Sequence, residues 1–203
     1  MATIPIRRPR RLNRENEAQT MVELDTAITQ AMNGLAGSSP LIDFLMIWTS
    51  AVGVPLMALA VALQWWRRTD RPQTRHGIVA AGLSFSLGLA LNQLILLFVH
   101  RLRPYDGGFT HLLIARSADF SFPSDHATAS FAIAAAFLVH GMRRVGLWFL
   151  AASILVAISR VYVGTHFVSD VLGGAVTGIA AAVLIRIVYR EGTRADRLIT
   201  SIL

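Results

Sequence analysis

Three short polar clusters interrupt a strongly apolar chain, and they carry the side chains that phosphoryl chemistry requires. The first is Arg103-Pro104. The second is Phe122-Pro123-Ser124-Asp125-His126. The third is Ser159-Arg160, followed by His166 and Asp170. His166 and Asp170 are four residues apart, so on a helix they share one face. A carboxylate at that spacing accepts the proton of one imidazole nitrogen and leaves the other as a nucleophile with a fixed tautomer. The same spacing also describes a helix start with a salt-bridged histidine. Arg103 and Arg160 offer planar forks for phosphate oxygens, although an arginine at the end of an apolar run also snorkels to an interface. Ser124-Asp125-His126 opens an apolar run, where a helix N-terminus presents free N–H groups and the positive end of a dipole to an anion. Ser124 doubles there as an N-cap candidate, and His126 stands where it can protonate a leaving oxygen. A divalent metal held by His and Asp side chains is the competing reading. The spacing fits no standard ligand pattern, however, and the arginines favour an anion over a cation, so no metal and no cofactor are expected.

The composition narrows the chemistry further. The chain has 203 residues, 54% hydrophobic and 15% charged, and a formal net charge of +7. All nineteen basic residues are arginine, which removes any Schiff-base, P-loop or general-base lysine. Cysteine is absent, so there is neither a disulfide nor a thiolate nucleophile. The arginines lie between apolar runs and are not interleaved with aromatics. They therefore suit membrane topology and anionic headgroups, and nucleic acid is not expected as a partner. Neither a G-x-x-x-x-G-K nor a G-x-S-x-G motif occurs.

The apolar runs that position these clusters predict an all-α, polytopic membrane helix bundle. About five spans are expected, each near the length of about 20 residues that crosses a bilayer. They cover 41–66, 77–99, 126–141, 145–162 and 167–189. Residues 1–20 are polar and arginine-rich and read as a disordered basic tail. Leu24, Ala27, Ile28, Ala31 and Leu35 recur at helical spacing, with Glu23, Asp25, Thr29 and Asn33 opposite them. This predicts a short interfacial helix over 21–35. Ser39-Pro40 supplies an N-cap and a first-turn proline for the first span, and Gly53 and Pro55 predict a kink within it. Small residues crowd the last span, as close helix packing in lipid requires. The membrane-embedded domain then runs over 21–190, with a cytoplasmic C-terminal tail over 191–203.

The order R-P, then P-S-x-H, then S-R-x5-H-x3-D resembles the type 2 phosphatidic acid phosphatase superfamily, with a match in layout over residues 21–190. The resemblance implies metal-independent hydrolysis through a phosphohistidine. His166 would be the nucleophile, Asp170 its orienter and His126 the general acid. Arg103, Arg160 and Ser124, with backbone N–H groups near Asp125, would hold the phosphate. The family's first motif usually opens with a lysine seven residues before the arginine, and that position here is Leu96. Asn92, Gln93 and His100 lie within a turn of it and are candidate neutral substitutes. The stretch Ser121-Phe122-Pro123-Ser124-Asp125-His126-Ala127, the Asn92-Gln93 pair and the interfacial helix are similar to the undecaprenyl-diphosphate phosphatase branch. That branch implies a lipid diphosphate substrate, membrane lipids as surroundings, a place in peptidoglycan recycling and bacitracin resistance. Phosphatidylglycerophosphate, phosphatidic acid, diacylglycerol diphosphate and lipid A phosphate are the rival substrates. A polytopic transporter or lipid-binding protein is the rival class, but a transport path would carry ionisable residues near the bilayer midplane. The sequence leaves the oligomeric state open.

The three clusters fall on one side of the membrane, and the arginine-rich loops 67–75 and 143–144 fall on the other. Positive-inside topology therefore puts the polar clusters outside the cytoplasm, and the resemblance implies a multi-pass protein of the bacterial inner membrane with those clusters on the periplasmic or extracellular side. A cysteine introduced at Gly108 should react with a membrane-impermeant reagent on intact cells, and one at Thr69 only after permeabilisation. The opposite labelling pattern would invert the orientation.

Overall fold

The computed structural model describes residues 10–67 and 71–201, and the described residues form α-helices and connecting loops without strands. The helices are α1 Arg10–Asn33, α2 Pro40–Leu63, α3 Arg71–Leu96, α4 Asp125–Val139, α5 Arg143–Tyr162, α6 Val168–Val188 and α7 Arg194–Thr200. A 3-10 turn, Gln64–Trp66, extends α2. Ser39 holds the extended N-cap conformation and Pro40 the first helical position, although the Ser39 side chain makes no capping bond. Pro55 lies within α2.

The core is organised around α4, which packs against α3, α5 and α6. Ala132, Ala134, Ala136 and Phe137 are buried there, and Phe137 stacks on Phe149 of α5 with ring centres 5.1 Å apart. Glycines let α6 approach α4 at backbone distance. A β-carbon on Gly178 would meet the Thr128 carbonyl oxygen at 2.4 Å and the Ala132 nitrogen at 2.8 Å. One on Gly174 would meet the Ser124 carbonyl oxygen at 2.5 Å.

The expected bundle of about five spans fits this packing. By length and composition four helices can cross a membrane: α2 with its 3-10 extension, α3, α5 and α6. The fifth candidate, α4, has 15 residues and is roughly 22 Å long, short of a hydrocarbon core of about 30 Å. Packed between α3, α5 and α6, it runs from Ser124 to the opposite end of the bundle, where His140 lies against His76.

Both ends of the chain differ from expectation. Helix α1 starts at Arg10, where a disordered tail was expected; Arg14, Glu15, Glu17, Ala18 and Gln19 are all compatible with a helix. Residues 1–9 of the expected tail lie outside the described residues. The orientation of α1 follows from its polar stripe. Thr29 and Asn33 are buried and Asp25 is half-buried, whereas Met21, Leu24, Ile28 and Leu35 are exposed. At the other end, residues expected to form a tail fold back as α7. Its Asp196 is buried and pairs with His76 of α3 at 2.8 Å, and it accepts a 2.7 Å bond from the Tyr189 hydroxyl.

Substituting Gly178 by Ala should lower the thermal stability of the solubilised protein by about 1–3 kcal/mol, since backbone atoms block the added carbon. Gly82, exposed on α3 with nothing within 4 Å of an added β-carbon, is the control. There Ala should be neutral or slightly stabilising. Thermal melts of the two variants, compared directly, check this.

Candidate active site

The polar residues gather at one end of the bundle because helix ends deliver them there. Arg160 lies in the last turn of α5. The chain then reverses through Val163–Phe167, where Gly164 has φ +83°. A β-carbon at Gly164 would meet the His111 carbonyl oxygen at 2.4 Å, so the close approach of these two loops requires glycine. Thr165 stabilises the reversal by donating its hydroxyl to the Arg160 carbonyl at 2.9 Å. His166 therefore stands on this loop, ahead of α6 and not on it, which corrects the reading that puts it on a helix face with Asp170.

The histidine's own hydrogen bonds define its tautomer. Nδ1 lies 2.9 Å from the Ser121 carbonyl, which can only accept, so Nδ1 carries the proton. That leaves the Nε2 lone pair toward Arg103, whose Nη1 is 3.3 Å away. Asp170 is 3.6 Å from Nδ1, beyond direct hydrogen bonding. The backbone of Ser121 thus fixes the ring, and Asp170 contributes charge beside it. Burial pushes the His166 imidazole down to about 4 against the pull of Asp170, so the ring is neutral near pH 7.

Asp170 has no solvent exposure. It accepts from the Ser121 hydroxyl, from the Phe167 N–H at 2.8 Å and from Arg101 Nη1 at 2.8 Å. Arg101 is the site residue that sequence reasoning passed over. It spans Asp170 and Asp25 of α1 (2.7 Å), and its guanidinium sits 3.9 Å over the Phe167 ring centre. The available signal was its position in the same polar connection as Arg103, two residues earlier.

The remaining candidates are arranged around His166. Arg103 is buried and donates to the carbonyls of Asp119 (2.9 Å) and Thr165 (3.1 Å). Arg160 is buried and bonds Ser50 of α2 at 2.5 Å, and its Nε has no partner within the protein. Ser124 occupies the N-cap of α4 without making a side-chain cap bond. Its hydroxyl is buried and unpartnered, which corrects the N-cap reading of its side chain. His126 is half-buried in the first turn of α4, within the electrostatic reach of Arg160, His166 and Arg103. Two unpartnered polar groups, a pair of arginines and a helix N-terminus are the kinds of group that can hold a phosphate-sized anion.

The three candidate substitutes for the missing lysine separate. Asn92 is fully buried and donates to Asp125 at 2.7 Å and to Thr128 at 2.9 Å, linking α3 to the mouth of α4. Gln93 is exposed, one residue round the helix, and His100 is exposed against Phe120 with ring centres 4.7 Å apart. The structure brings only Asn92 to the site. Asp125 is therefore held as an acceptor by Asn92.

Comparison with known proteins identifies the family. Residues 77–194 match the model of the PAP2 superfamily. The undecaprenyl-diphosphatase BcrC of Bacillus subtilis is 34% identical over 152 residues, covering 75% of this chain and 77% of that protein. A putative undecaprenyl-diphosphatase of Escherichia coli, YbjG, is 28% identical, covering 82% and 83% respectively. Among solved structures, a transmembrane PAP2 type phosphatidylglycerolphosphate phosphatase from Bacillus subtilis superposes with a TM-score of 0.65 at 26% identity, covering 86% of this chain and 89% of that one. This chain belongs to the PAP2 superfamily: it is a multi-pass membrane protein of a phosphatase family.

Asn92→Leu should slow phosphate release, since it strips Asp125 and Thr128 of a donor worth about 1–3 kcal/mol when buried. Gln93→Leu should leave the rate near that of the parent. Steady-state kinetics of the two folded variants test the assignment; equal effects would mean that burial does not separate them.

Proposed function

We propose that this protein hydrolyses undecaprenyl diphosphate to undecaprenyl phosphate and inorganic phosphate through a phosphohistidine on His166. The observation that carries the reading is the Nε2 lone pair of a buried, neutral His166 facing Arg103, with Nδ1 tied to the Ser121 carbonyl. Nε2 attacks the terminal phosphorus, forming a P–N bond as the P–O bond to the lipid monophosphate breaks. His126 gives its proton to the leaving oxygen. Water then attacks the phosphohistidine, the P–N bond breaks, and His126 takes the water's proton. Arg103, Arg160, Ser124 and the first N–H groups of α4 stabilise the charge on the equatorial oxygens. They do so in a site where fixed donors need no reorganisation.

The choice of a lipid diphosphate rests on the two relatives that are named as undecaprenyl-diphosphatases, one of them as putative. Phosphatidylglycerolphosphate is the second candidate, because the structural neighbour with a TM-score of 0.65 is described as its phosphatase. A transport path is disfavoured by position. Arg160, His126 and Asp170 all occupy terminal turns of their helices. The arginine loops favour an orientation with this end outside the cytoplasm.

Purified protein should release phosphate from undecaprenyl diphosphate faster than from phosphatidylglycerophosphate, phosphatidic acid or lipid A phosphate. His166→Ala should remove several orders of magnitude of that rate. Activity should persist in chelator and be inhibited by vanadate, which mimics the trigonal-bipyramidal phosphorus. Near-normal turnover by folded His166→Ala would remove the nucleophile. Loss in chelator with recovery on one divalent ion would replace the arginine cradle with a metal.

A further inference from the structure

Helix α6 begins directly after the nucleophile loop, and its first N–H groups need acceptors from outside the helix. Asp170 takes the Phe167 N–H. The next two are capped by a different helix. Thr29 Oγ1 of α1 accepts from the Val168 N–H at 3.1 Å, and Asp25 Oδ1 accepts from the Ser169 N–H at 2.9 Å. Asp25 Oδ2 accepts at the same time from the Ser169 hydroxyl at 2.6 Å and from Arg101 Nη2 at 2.7 Å. The other end of the Arg101 fork donates to Ser169 Oγ at 2.5 Å and to Asp170 at 2.8 Å. An unbroken chain of charge-assisted bonds thus runs from Asp25 through Arg101 to Asp170, the carboxylate 3.6 Å from His166 Nδ1.

The charges in this chain alternate. With Asp25 present, Arg101 is shared between two carboxylates, and Asp170 keeps much of its negative field for the imidazole. Without the Asp25 charge, Arg101 pairs wholly with Asp170, and the field that steadies a histidine gaining positive character during phosphoryl transfer is reduced. Removal of Asp25 also frees the Ser169 N–H, which loosens the first turn of α6, and the loop carrying His166 is anchored there.

We propose that Asp25, on the N-terminal helix, is a positioning residue for the phosphoryl-transfer step, acting on His166 through Arg101 and Asp170 and through the first turn of α6. It touches no reacting atom. The inference rests on His166 as nucleophile. It makes α1, whose opposite face is apolar and exposed, part of the catalytic apparatus and not merely a support on the membrane surface.

The test measures kcat and KM separately, with a short-chain prenyl diphosphate in detergent micelles, for Asp25→Asn, Asp25→Ala, Arg101→Gln and the double variant Asp25→Asn/Arg101→Gln. The two Asp25 variants should lose ~10- to 100-fold in kcat, as a displaced catalytic group does. KM should stay within about threefold, because the substrate contacts remain. The double variant should lose little more than the worse single one, since both act through one chain of bonds. Asp25→Glu should recover part of the rate by restoring the charge. Normal kcat in folded Asp25→Ala, a loss confined to KM, or multiplicative effects in the double variant would each overturn the proposal. So would a failure of every Asp25 variant to fold, which would assign the residue to stability. Wild-type protein without phosphate release, or active His166→Ala, would instead sink the functional reading on which this one rests.

Discussion

A carboxylate with no access to water cannot stand alone in a helix bundle, and the architecture around Asp170 follows from that constraint. Its oxygens are met by a serine hydroxyl, a backbone N–H and an arginine, and an imidazole lies beside them. Each partner comes from a different piece of the chain. Ser121 arrives from the long polar connection, Phe167 from the reversal after α5, and Arg101 from the exit of α3. Losing any one would leave buried charge incompletely matched, a penalty of several kcal/mol. The carboxylate therefore ties together the loops that carry the histidine and both sides of the phosphate cradle. Its burial is a condition for the site's rigidity.

Most of the framework was legible in the sequence because lipid imposes a simple rule: backbone groups must be satisfied within a helix, so long apolar runs become helices. The helices containing Leu41, Ile78, Phe149 and Val171 all follow from it. The rule was less informative where protein replaces lipid as the neighbour. Helix α4 is shorter than the other spans, and its alanines and Phe137 are buried against other helices. Helix α1 was read as amphipathic, which was right, but the pattern does not say which face meets protein. In water the apolar side would turn inward. Here Asp25, Thr29 and Asn33 turn inward, because the loops they meet are rich in unpaired N–H and C=O groups.

The site itself was legible as residue types and only partly as geometry. Arg103, Arg160, Ser124, His126, His166 and Asp170 were found by their order along the chain, and they do converge at one end of the bundle. Spacing suggested that Asp170 takes the imidazole proton directly. A main-chain carbonyl does so instead, and no sequence pattern announces a main-chain contact made across 45 residues. Arg101 escaped notice because an arginine leaving an apolar helix ordinarily snorkels, and only its two carboxylate partners, 76 and 69 residues away, reveal another use. Gln93 and Asn92 looked equivalent in the sequence. One step of about 100° round α3 separates a buried bridge to α4 from an exposed side chain.

The Ser124 hydroxyl and the Arg160 Nε, buried with no partner from the protein, have a consequence for the protein's life in the cell. A phosphate-like anion that satisfies them binds the folded chain and not the unfolded one. At a hundred times its dissociation constant such an anion adds about 2.7 kcal/mol to the free energy of unfolding by mass action alone. Under the proposed reaction, the inorganic phosphate released would then also be a folding ligand. Resistance to heat and to proteolysis should track the ambient phosphate concentration, so that a phosphate-starved cell would hold a more fragile copy of the same protein.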